Sequence, residues 1–236
     1  MSERDSRSEM LIGKEGVCRL RASRIAIFGI GGVGGYALEA LARAGVGEFL
    51  LVDSDRVCES NINRQIIATE KTVGRYKTEA ARERVREINS EAKVITREEF
   101  FSPENADSFD LTTYDYVIDA IDSLSSKIAL IEKAKREGVR IISAMGAGNK
   151  LDPTRFEVSD ISKTSVCPLA RAVRLGLRNK GINHLKVVYS RELPVRTQDT
   201  EGERVPASIS FVPSVMGLII GGEVIKDIAI RGEGNL

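Results

Sequence analysis

The chain has few cysteines and almost no net charge, and each shortage excludes a class of protein. Its three cysteines, Cys18, Cys58 and Cys167, are widely spaced and form no CxxC pair. That spacing argues against a disulfide framework and against a four-cysteine zinc site, and it is typical of a reducing compartment. Thirty-five basic and 34 acidic side chains leave a net charge of +1, so any contact with nucleic acid must be a local patch.

Long apolar segments are also missing. Residues 1–10 contain no apolar core of the kind that a signal peptide needs. The longest uncharged run, residues 205–222, is interrupted by prolines and serines, whereas a membrane-spanning helix needs about 20 predominantly apolar residues. We therefore expect a soluble, cytoplasmic protein with no stable membrane insertion.

Strand-like and helix-like patterns alternate along most of the chain. With 236 residues and 42% hydrophobic composition, the length favours one large domain. Apolar runs typical of buried strands are "RIAIFGI", "EFLLVD", "KVITREE", "YDYVIDAI" and "VRIISAM", and helical patterns lie between most of them. Two more strands, "RFEVSDIS" and "HLKVVYS", flank a helix further on. The order predicts a Rossmann-like, doubly wound α/β fold: a mainly parallel sheet with helices on both faces and additional C-terminal strands.

A glycine-rich turn, "GIGGVG", follows the first predicted strand. Its glycines are Gly29, Gly31, Gly32 and Gly34, and a helix pattern begins directly afterwards. Free backbone N–H groups at a helix N-terminus favour a phosphate, and Asp53 at the end of the second strand is placed to bind a ribose hydroxyl. The alternative is that the glycines serve only close strand–helix packing. The spacing to Asp53 favours a nucleotide.

A polar segment after the second strand favours a nucleotide with a polyphosphate chain over a dinucleotide cofactor. It contains Asp55, then Asn61, Arg64 and Gln65 in "SNINRQ", and then Lys77. Arg64 offers a bidentate fork and Lys77 a point charge, a pairing suited to a polyphosphate. Lys77 falls in the first turn of a predicted helix, where the helix dipole disfavours a cation, so it is a candidate for function. The alternative is an exposed lysine on a solvated face, and we expect both cations on exposed loop or helix ends.

Two aspartates lie at the end of the fourth strand. Asp122 would supply a hard oxygen ligand for Mg²⁺, or alternatively cap the next helix. Asp119 lies inside the strand end, which favours a structural role. Cys167 is interpreted as a packing residue.

Five motifs together resemble the ubiquitin-activating-type adenylyltransferases. They are "GIGGVG", "VDSDRV", "NINRQ", "VGRYK" and "VIDAIDS", in the order and spacing of that family. The resemblance implies that ATP and Mg²⁺ are bound by the glycine turn, Asp53, Asn61, Arg64, Gln65, Lys77 and Asp122. It also implies a homodimer, because Arg7 in "RDSR" matches an arginine that enters the partner subunit's site. The chain would then divide into a helical arm (1–23), a nucleotide-binding half (24–146) and a substrate and dimer half (147–236), with a crossover loop at about 191–209.

The second half is similar to one branch of that family, the tRNA threonylcarbamoyladenosine dehydratases. "GAGNKLDPT", "ISKT" and "YSRELP" carry this similarity, and the two C-terminal CxxC pairs usual in sulfur-carrier adenylyltransferases are missing. The resemblance implies a tRNA substrate and ATP-dependent cyclisation through a carboxyl-adenylate, with sulfur-transfer proteins as further partners. Three alternatives stay open: a carrier-protein adenylyltransferase, a dinucleotide-dependent oxidoreductase, and an inactive tRNA- or partner-binding relative.

One helix pattern predicts where tRNA docks. In "RAVRLGLRNKG", Arg171, Arg174 and Arg178 recur at helical spacings of three and four and share one face. We expect these arginines to contact phosphates, although a solvated helix face would have the same pattern.

Overall fold

All seven predicted strands are present in the computed structural model, which describes residues 3–195 and 206–230. They are β1 (Arg24–Phe28), β2 (Glu48–Val52), β3 (Lys93–Arg97), β4 (Tyr116–Asp119), β5 (Arg140–Ala144), β6 (Phe156–Asp160) and β7 (Lys186–Ser190). Together they form one sheet in the order β3-β2-β1-β4-β5-β7-β6. Neighbouring strands are parallel except that β6 pairs antiparallel with β7. The predicted mainly parallel sheet with added C-terminal strands is confirmed.

Helices cover both faces of this sheet, as predicted. They are α1 (Ser6–Ala22), α2 (Gly34–Arg43), α3 (Lys77–Ile88), α4 (Leu124–Arg136), α5 (Pro168–Arg178) and α6 (Phe211–Ala229). Alternate residues of a strand point to opposite faces. Ile25 and Ile27 of β1 therefore pack with α1, α2, α3 and α6, whereas Ala26 and Phe28 pack with α4 and α5. The uninterrupted apolar strand runs in the sequence reflect burial on both faces.

The strand order reverses direction at β1. Strands β2 and β3 lie on one side of β1, and β4 begins the other side. In a doubly wound sheet, the loops after the strands on either side of such a switch point diverge and leave a crevice beyond the carboxyl ends. The crevice here lies beyond β1, β2 and β4, where the glycine turn, the "SNINRQ" loop and Asp122 follow in the chain.

The N-terminal helix is packed against the body along its second half. Val17 and Leu20 of α1 are buried, and Arg19 donates hydrogen bonds to the carbonyl oxygens of Ile228 and Ala229 at the end of α6. Gly13, with a φ of 72°, breaks the helical geometry in the middle of α1. The first half, including exposed Met10 and Leu11, is therefore set off from the packed half.

The segment after β7 is described only in part. The predicted crossover loop at about 191–209 includes residues 196–205, which lie outside the described residues. Its two flanks are described and approach the loop between β5 and β6. Within the described ranges, no helix has the length and apolar character needed to cross a membrane.

Candidate active site

The glycine turn joins β1 to α2 and is braced from the end of β2. The Asp53 carboxylate accepts hydrogen bonds from the backbone N–H of Ile30 at 2.6 Å and of Asp55 at 2.9 Å. Burial raises the pKa of the Asp53 carboxyl above its ordinary value, and the Lys77 charge and these two N–H groups oppose that shift. Asp53 thus fixes the turn from within, in addition to any contact that it makes with a bound sugar.

Two glycines make this turn sterically possible. Gly29 has a φ of 89°, in the left-handed region that favours glycine. A Cβ atom at Gly34 would collide with the carbonyl oxygen of Gly29, so the start of α2 can approach β1 only with glycine there. Gly34 is therefore placed behind the crevice and not in it.

Lys77 is the first residue of α3, as predicted, but it is not exposed. Only 7% of the residue is accessible, which corrects the expectation of an exposed helix end. Its Nζ lies 2.7 Å from Oδ2 of Asp55, whose side chain is 64% exposed. The carboxylate offsets the unfavourable placement of a cation at a helix N-terminus. The sequence pattern gives the position of Lys77 on the helix but not its ion pair with Asp55, which lies 22 residues earlier in the chain.

The "SNINRQ" loop directs three of its side chains towards the same crevice. Nη1 of Arg64 donates to the carbonyl oxygen of Ser60 at 3.0 Å and to Oδ1 of Asn63 at 2.8 Å. Asn61 accepts from the backbone N–H of Cys58. Gln65 is buried, and its Oε1 has no hydrogen-bond partner among the described residues. A buried amide oxygen without a partner is costly, which is expected where a ligand completes the hydrogen bonding.

Asp119 and Asp122 have opposite environments. Asp119 is fully buried, and its carboxylate lies 2.8 Å from Nζ of Lys127, which is also fully buried. It also accepts from the backbone N–H of Ile121 at 3.1 Å and from the hydroxyl of Ser143. Asp122 is exposed, and the N-cap of α4 is Ser123, so the helix-cap alternative for Asp122 is wrong.

Most of the predicted site residues line one cleft of about 850 Å³ at the carboxyl ends of the strands. The predicted site residues on its wall are Gly29, Gly31, Gly32, Asp53, Asp55, Asn61, Arg64, Gln65, Lys77 and Asp122. Gly34 and Arg7 do not line the cleft, and Arg7 lies exposed on α1. The volume is that of a small-molecule site. The arrangement places two cations and a glycine turn around a space large enough for a nucleotide.

Two buried lysines near the cleft were not predicted from the sequence as site residues. Lys127 lies under the β4 loop, where it also donates to the carbonyl oxygen of Ala144 at 3.0 Å. Lys150 lies on the cleft wall beside Cys167, is 5% exposed, and has its pKa lowered by burial, while Cys167 and Glu192 oppose the shift. Lys127 falls on the apolar face of its helix pattern, and this position is the one feature of the sequence that could have indicated its burial. Lys150 carried no signal.

The arginines of α5 are not equivalent. Arg171 and Arg178 are exposed, but Nη1 of Arg174 donates to Oγ1 of Thr164 at 2.6 Å and to the carbonyl oxygen of Thr164 at 3.1 Å. Arg174 therefore ties α5 to the preceding loop, and its guanidinium is not free for phosphate as we expected. Cys167 is buried and is the N-cap of α5, where its Sγ accepts from the backbone N–H of Ala170.

The fold and the cleft are shared with a family of ATP-using enzymes. The ThiF family model matches residues 5–236, and the chain belongs to the ThiF family. The tRNA threonylcarbamoyladenosine dehydratase of Bacillus subtilis (strain 168) is 44% identical over 94% of this chain and 93% of the relative. Crystal structures of the Escherichia coli tRNA N6-threonylcarbamoyladenosine dehydratase match with TM-scores of 0.91 for the AMP complex and 0.89 for the ATP complex, both at 34% identity. The AMP complex covers 99% of this chain and 96% of that one, and the ATP complex covers 97% and 95%.

Proposed function

We propose that this chain is an ATP-dependent tRNA threonylcarbamoyladenosine dehydratase, which cyclises N6-threonylcarbamoyladenosine at tRNA position 37 through a carboxyl-adenylate. The observation that carries the proposal is the single cleft in which the glycine turn, Arg64, Lys77 and Asp122 meet. A similarity of 44% identity over almost the whole length of the Bacillus subtilis dehydratase supports the choice of substrate. We also propose that residues 1–236 form a single ATP-binding domain, since one continuous sheet joins both halves.

The cleft residues have distinct roles in holding ATP. The N–H groups of the glycine turn would face the phosphates, and Asp53 would keep the turn in place while it contacts the ribose. Arg64 and Lys77 would neutralise the phosphate chain, assisted by the amide groups of Asn61 and Gln65. Arg64 would exchange its bonds to Ser60 and Asn63 for phosphate oxygens. Asp55 would hold the Lys77 ammonium in position to contact the phosphates.

Asp122 fits a magnesium ion that is held mainly by phosphates. Mg²⁺ commonly takes one or two carboxylates together with phosphate oxygens and waters. The described residues contain no group of three or more metal-ligating side chains, so a complete protein cage is not formed there. Asp122 is exposed on the cleft wall and engages no other described residue, which leaves its oxygens available. Bound there, the ion would reduce the negative charge that the attacking carboxylate meets.

The reaction needs charge neutralisation more than it needs a base. The substrate carboxylate is ionised at neutral pH, and its oxygen attacks the α-phosphorus while the bond to pyrophosphate breaks. Repulsion between anions is the main obstacle, which Arg64 and Lys77 reduce. The ureido group of the same side chain then attacks the acyl carbon, AMP leaves and a proton is released. The product has lost the elements of water.

No enzyme nucleophile is required for the second step. An intramolecular attack has an effective molarity on the order of 10⁵ M or more when the reacting groups are well oriented. Cys167 is buried and serves as a helix cap, in agreement with a packing role. The chain therefore needs to orient the bound side chain and to keep water from the adenylate.

A partner subunit would complete the site. Arg7 is exposed on the first half of α1 and lies outside its own chain's cleft. Neighbouring Met10 and Leu11 are 81% and 86% exposed, an apolar surface of the kind that a second copy covers. We propose a homodimer in which Arg7 reaches the neighbour's phosphates, with sulfur-transfer proteins as further partners. We also propose a cytoplasmic location, where a tRNA substrate would be available.

The required co-substrate distinguishes this function from the carrier-protein alternative. ATP–pyrophosphate exchange is expected to depend on tRNA that carries threonylcarbamoyladenosine and to be unaffected by a carrier protein that ends in Gly-Gly. Unmodified tRNA is the matched control. Exchange that requires the carrier protein and does not depend on modified tRNA would mean that the proposed substrate is wrong. Binding of tRNA without exchange would indicate an inactive relative.

The two exposed arginines of α5 lead to a prediction for tRNA docking. Replacing Arg171 and Arg178 together by Gln is expected to weaken tRNA binding and to reduce the slope of log affinity against log salt by about 1.8, since each phosphate contact contributes about 0.9. Binding measured between low and moderate salt tests this, and ATP affinity is expected to stay unchanged. Arg174→Gln is the matched comparison, which should lower thermal stability because its hydrogen bonds to Thr164 are lost. An unchanged slope in the double variant would exclude α5 as the docking surface.

A further inference from the structure

Asn149 joins the two described flanks of the crossover segment. Its carbonyl oxygen accepts from the backbone N–H of Val195 at 2.7 Å, and its own N–H donates to the carbonyl oxygen of Ala207 at 2.8 Å. Its side-chain Oδ1 accepts from the N–H of Ala207 at 2.7 Å. One residue in the loop between β5 and β6 thus binds the chain on both sides of residues 196–205.

The backbone of Asn149 is held in an uncommon conformation. Its φ is 57°, in the left-handed region that residues other than glycine seldom adopt and that asparagine tolerates best. Such backbone persists where surrounding contacts fix it, and it is concentrated at functional sites. Here three hydrogen bonds to the two flanks fix it.

Neighbouring residues strengthen the attachment of the first flank. The Glu192 carboxylate accepts from the backbone N–H groups of Leu151 at 2.8 Å and Asp152 at 3.0 Å. The buried Lys150 donates its Nζ to the carbonyl oxygen of Glu192. The first flank is therefore bound at Glu192 as well as at Val195, whereas the attachment of Ala207 depends on Asn149.

Both flanks form a wall of the proposed ATP cleft. Pro194, Pro206 and Ser208 line it, on the side that Asn149 and Lys150 occupy. The carbonyl oxygen of Ser208 accepts from Nδ2 of Asn63 at 3.1 Å, and Oδ1 of the same Asn63 accepts from Arg64. The wall is thus connected by hydrogen bonds to an arginine that is proposed to bind phosphate.

We propose that Asn149 is a positioning residue that sets the wall of the cleft against which the tRNA-borne carboxylate is placed, a role that rests on the proposed function. Among the described residues, none of the proposed phosphate-binding side chains hydrogen-bonds Asn149, and Arg64 is connected to this wall only through Asn63 and Ser208. The carboxylate must approach the α-phosphorus from a fixed direction for in-line attack. Displacement of the flank that carries Ala207 and Ser208 would therefore impair substrate placement before it impairs ATP binding.

Three substitutions at Asn149 separate its side chain from its backbone. Asn149→Gly keeps the left-handed conformation and loses only the acceptor to Ala207, Asn149→Asp keeps an acceptor oxygen, and Asn149→Ala loses the acceptor and strains the backbone. In Asn149→Gly, amide hydrogen exchange of Ala207 is expected to accelerate by about tenfold because one hydrogen bond is lost. Exchange at Val195, whose partner is the backbone carbonyl, is expected to stay unchanged. Asn149→Asp should behave like the wild type.

Kinetics test the functional part of the proposal. The KM for modified tRNA is expected to rise by about tenfold in Asn149→Gly and more in Asn149→Ala, with recovery in Asn149→Asp and ATP affinity within about twofold of wild type. Wild-type KM values in both the Gly and the Ala variants would overturn the proposal, as would equal losses of tRNA and ATP affinity, which mark a general structural defect. Wild-type protein that fails to convert modified tRNA would refute the proposed function instead, and the Ala207 exchange result is independent of that outcome.

Discussion

Replacing Lys77 by methionine is expected to lower ATP turnover by about 100-fold, within the range measured when one charge-stabilising donor is removed from an active site. The ammonium group of Lys77 lies on the cleft wall beside Asp55 and is the buried one of the two proposed phosphate-binding cations. Methionine retains most of the side-chain volume, so packing at the start of α3 should persist. AMP formation with modified tRNA as co-substrate measures the effect.

The controls for Lys77 separate charge from folding. Asp55 loses its partner in this variant, but its side chain is 64% exposed and stays hydrated, so the melting temperature should change little. Lys71→Met removes an exposed lysine outside the cleft and is expected to have no effect on turnover. Wild-type turnover in Lys77→Met would remove the main support for phosphate neutralisation by this residue.

Replacing Lys127 by methionine is expected to lower the free energy of unfolding by about 3–5 kcal/mol, because the buried Asp119 carboxylate loses its counter-charge. Both side chains are fully buried and lie 2.8 Å apart. For a chain of this size, each kcal/mol shifts the melting temperature by roughly 2–4 °C, so a decrease of roughly 10 °C is expected. Thermal and urea unfolding followed by circular dichroism measure it.

Two further variants show whether the loss comes from the unpaired charge. Asp119→Asn combined with Lys127→Met removes both charges, and it should be more stable than Lys127→Met alone. Lys135→Met, at an exposed position of the same helix, should leave stability unchanged. A single Lys127→Met variant that melts with the wild type would mean that the pair contributes little to the fold.

The sequence predicted the sheet well because apolar runs of strand length alternated with helical patterns. Strands β1, β2, β4 and β5 each contain consecutive apolar residues, as a strand buried on both faces requires. The location of the cleft followed from the same pattern, since parallel strands bring their carboxyl ends to one edge. The 25 residues between the glycine turn (29–34) and the polar loop (60–65) therefore did not prevent their juxtaposition from being predicted.

The burial of individual charged side chains could not be predicted in the same way. Periodicity assigns a residue to a helix face, but a lysine or arginine side chain on a polar face can still be buried when it pairs with a nearby acceptor group. Arg174 does so at the carbonyl oxygen of Thr164, and Lys77 does so at Asp55. The contacts of Asn149 with Val195 and Ala207 are likewise distant in sequence. Such partners become visible only when the chain is folded.

The most direct test of the central claim is mass spectrometry of nucleosides from tRNA that carries threonylcarbamoyladenosine, after incubation with the protein, ATP and Mg²⁺. The proposed reaction predicts that the modified nucleoside loses the mass of one water, that AMP and pyrophosphate form in equal amounts, and that none of this occurs without ATP or with Lys77→Met. An unchanged nucleoside mass in the presence of ATP, with folded wild-type protein, would contradict the proposed function.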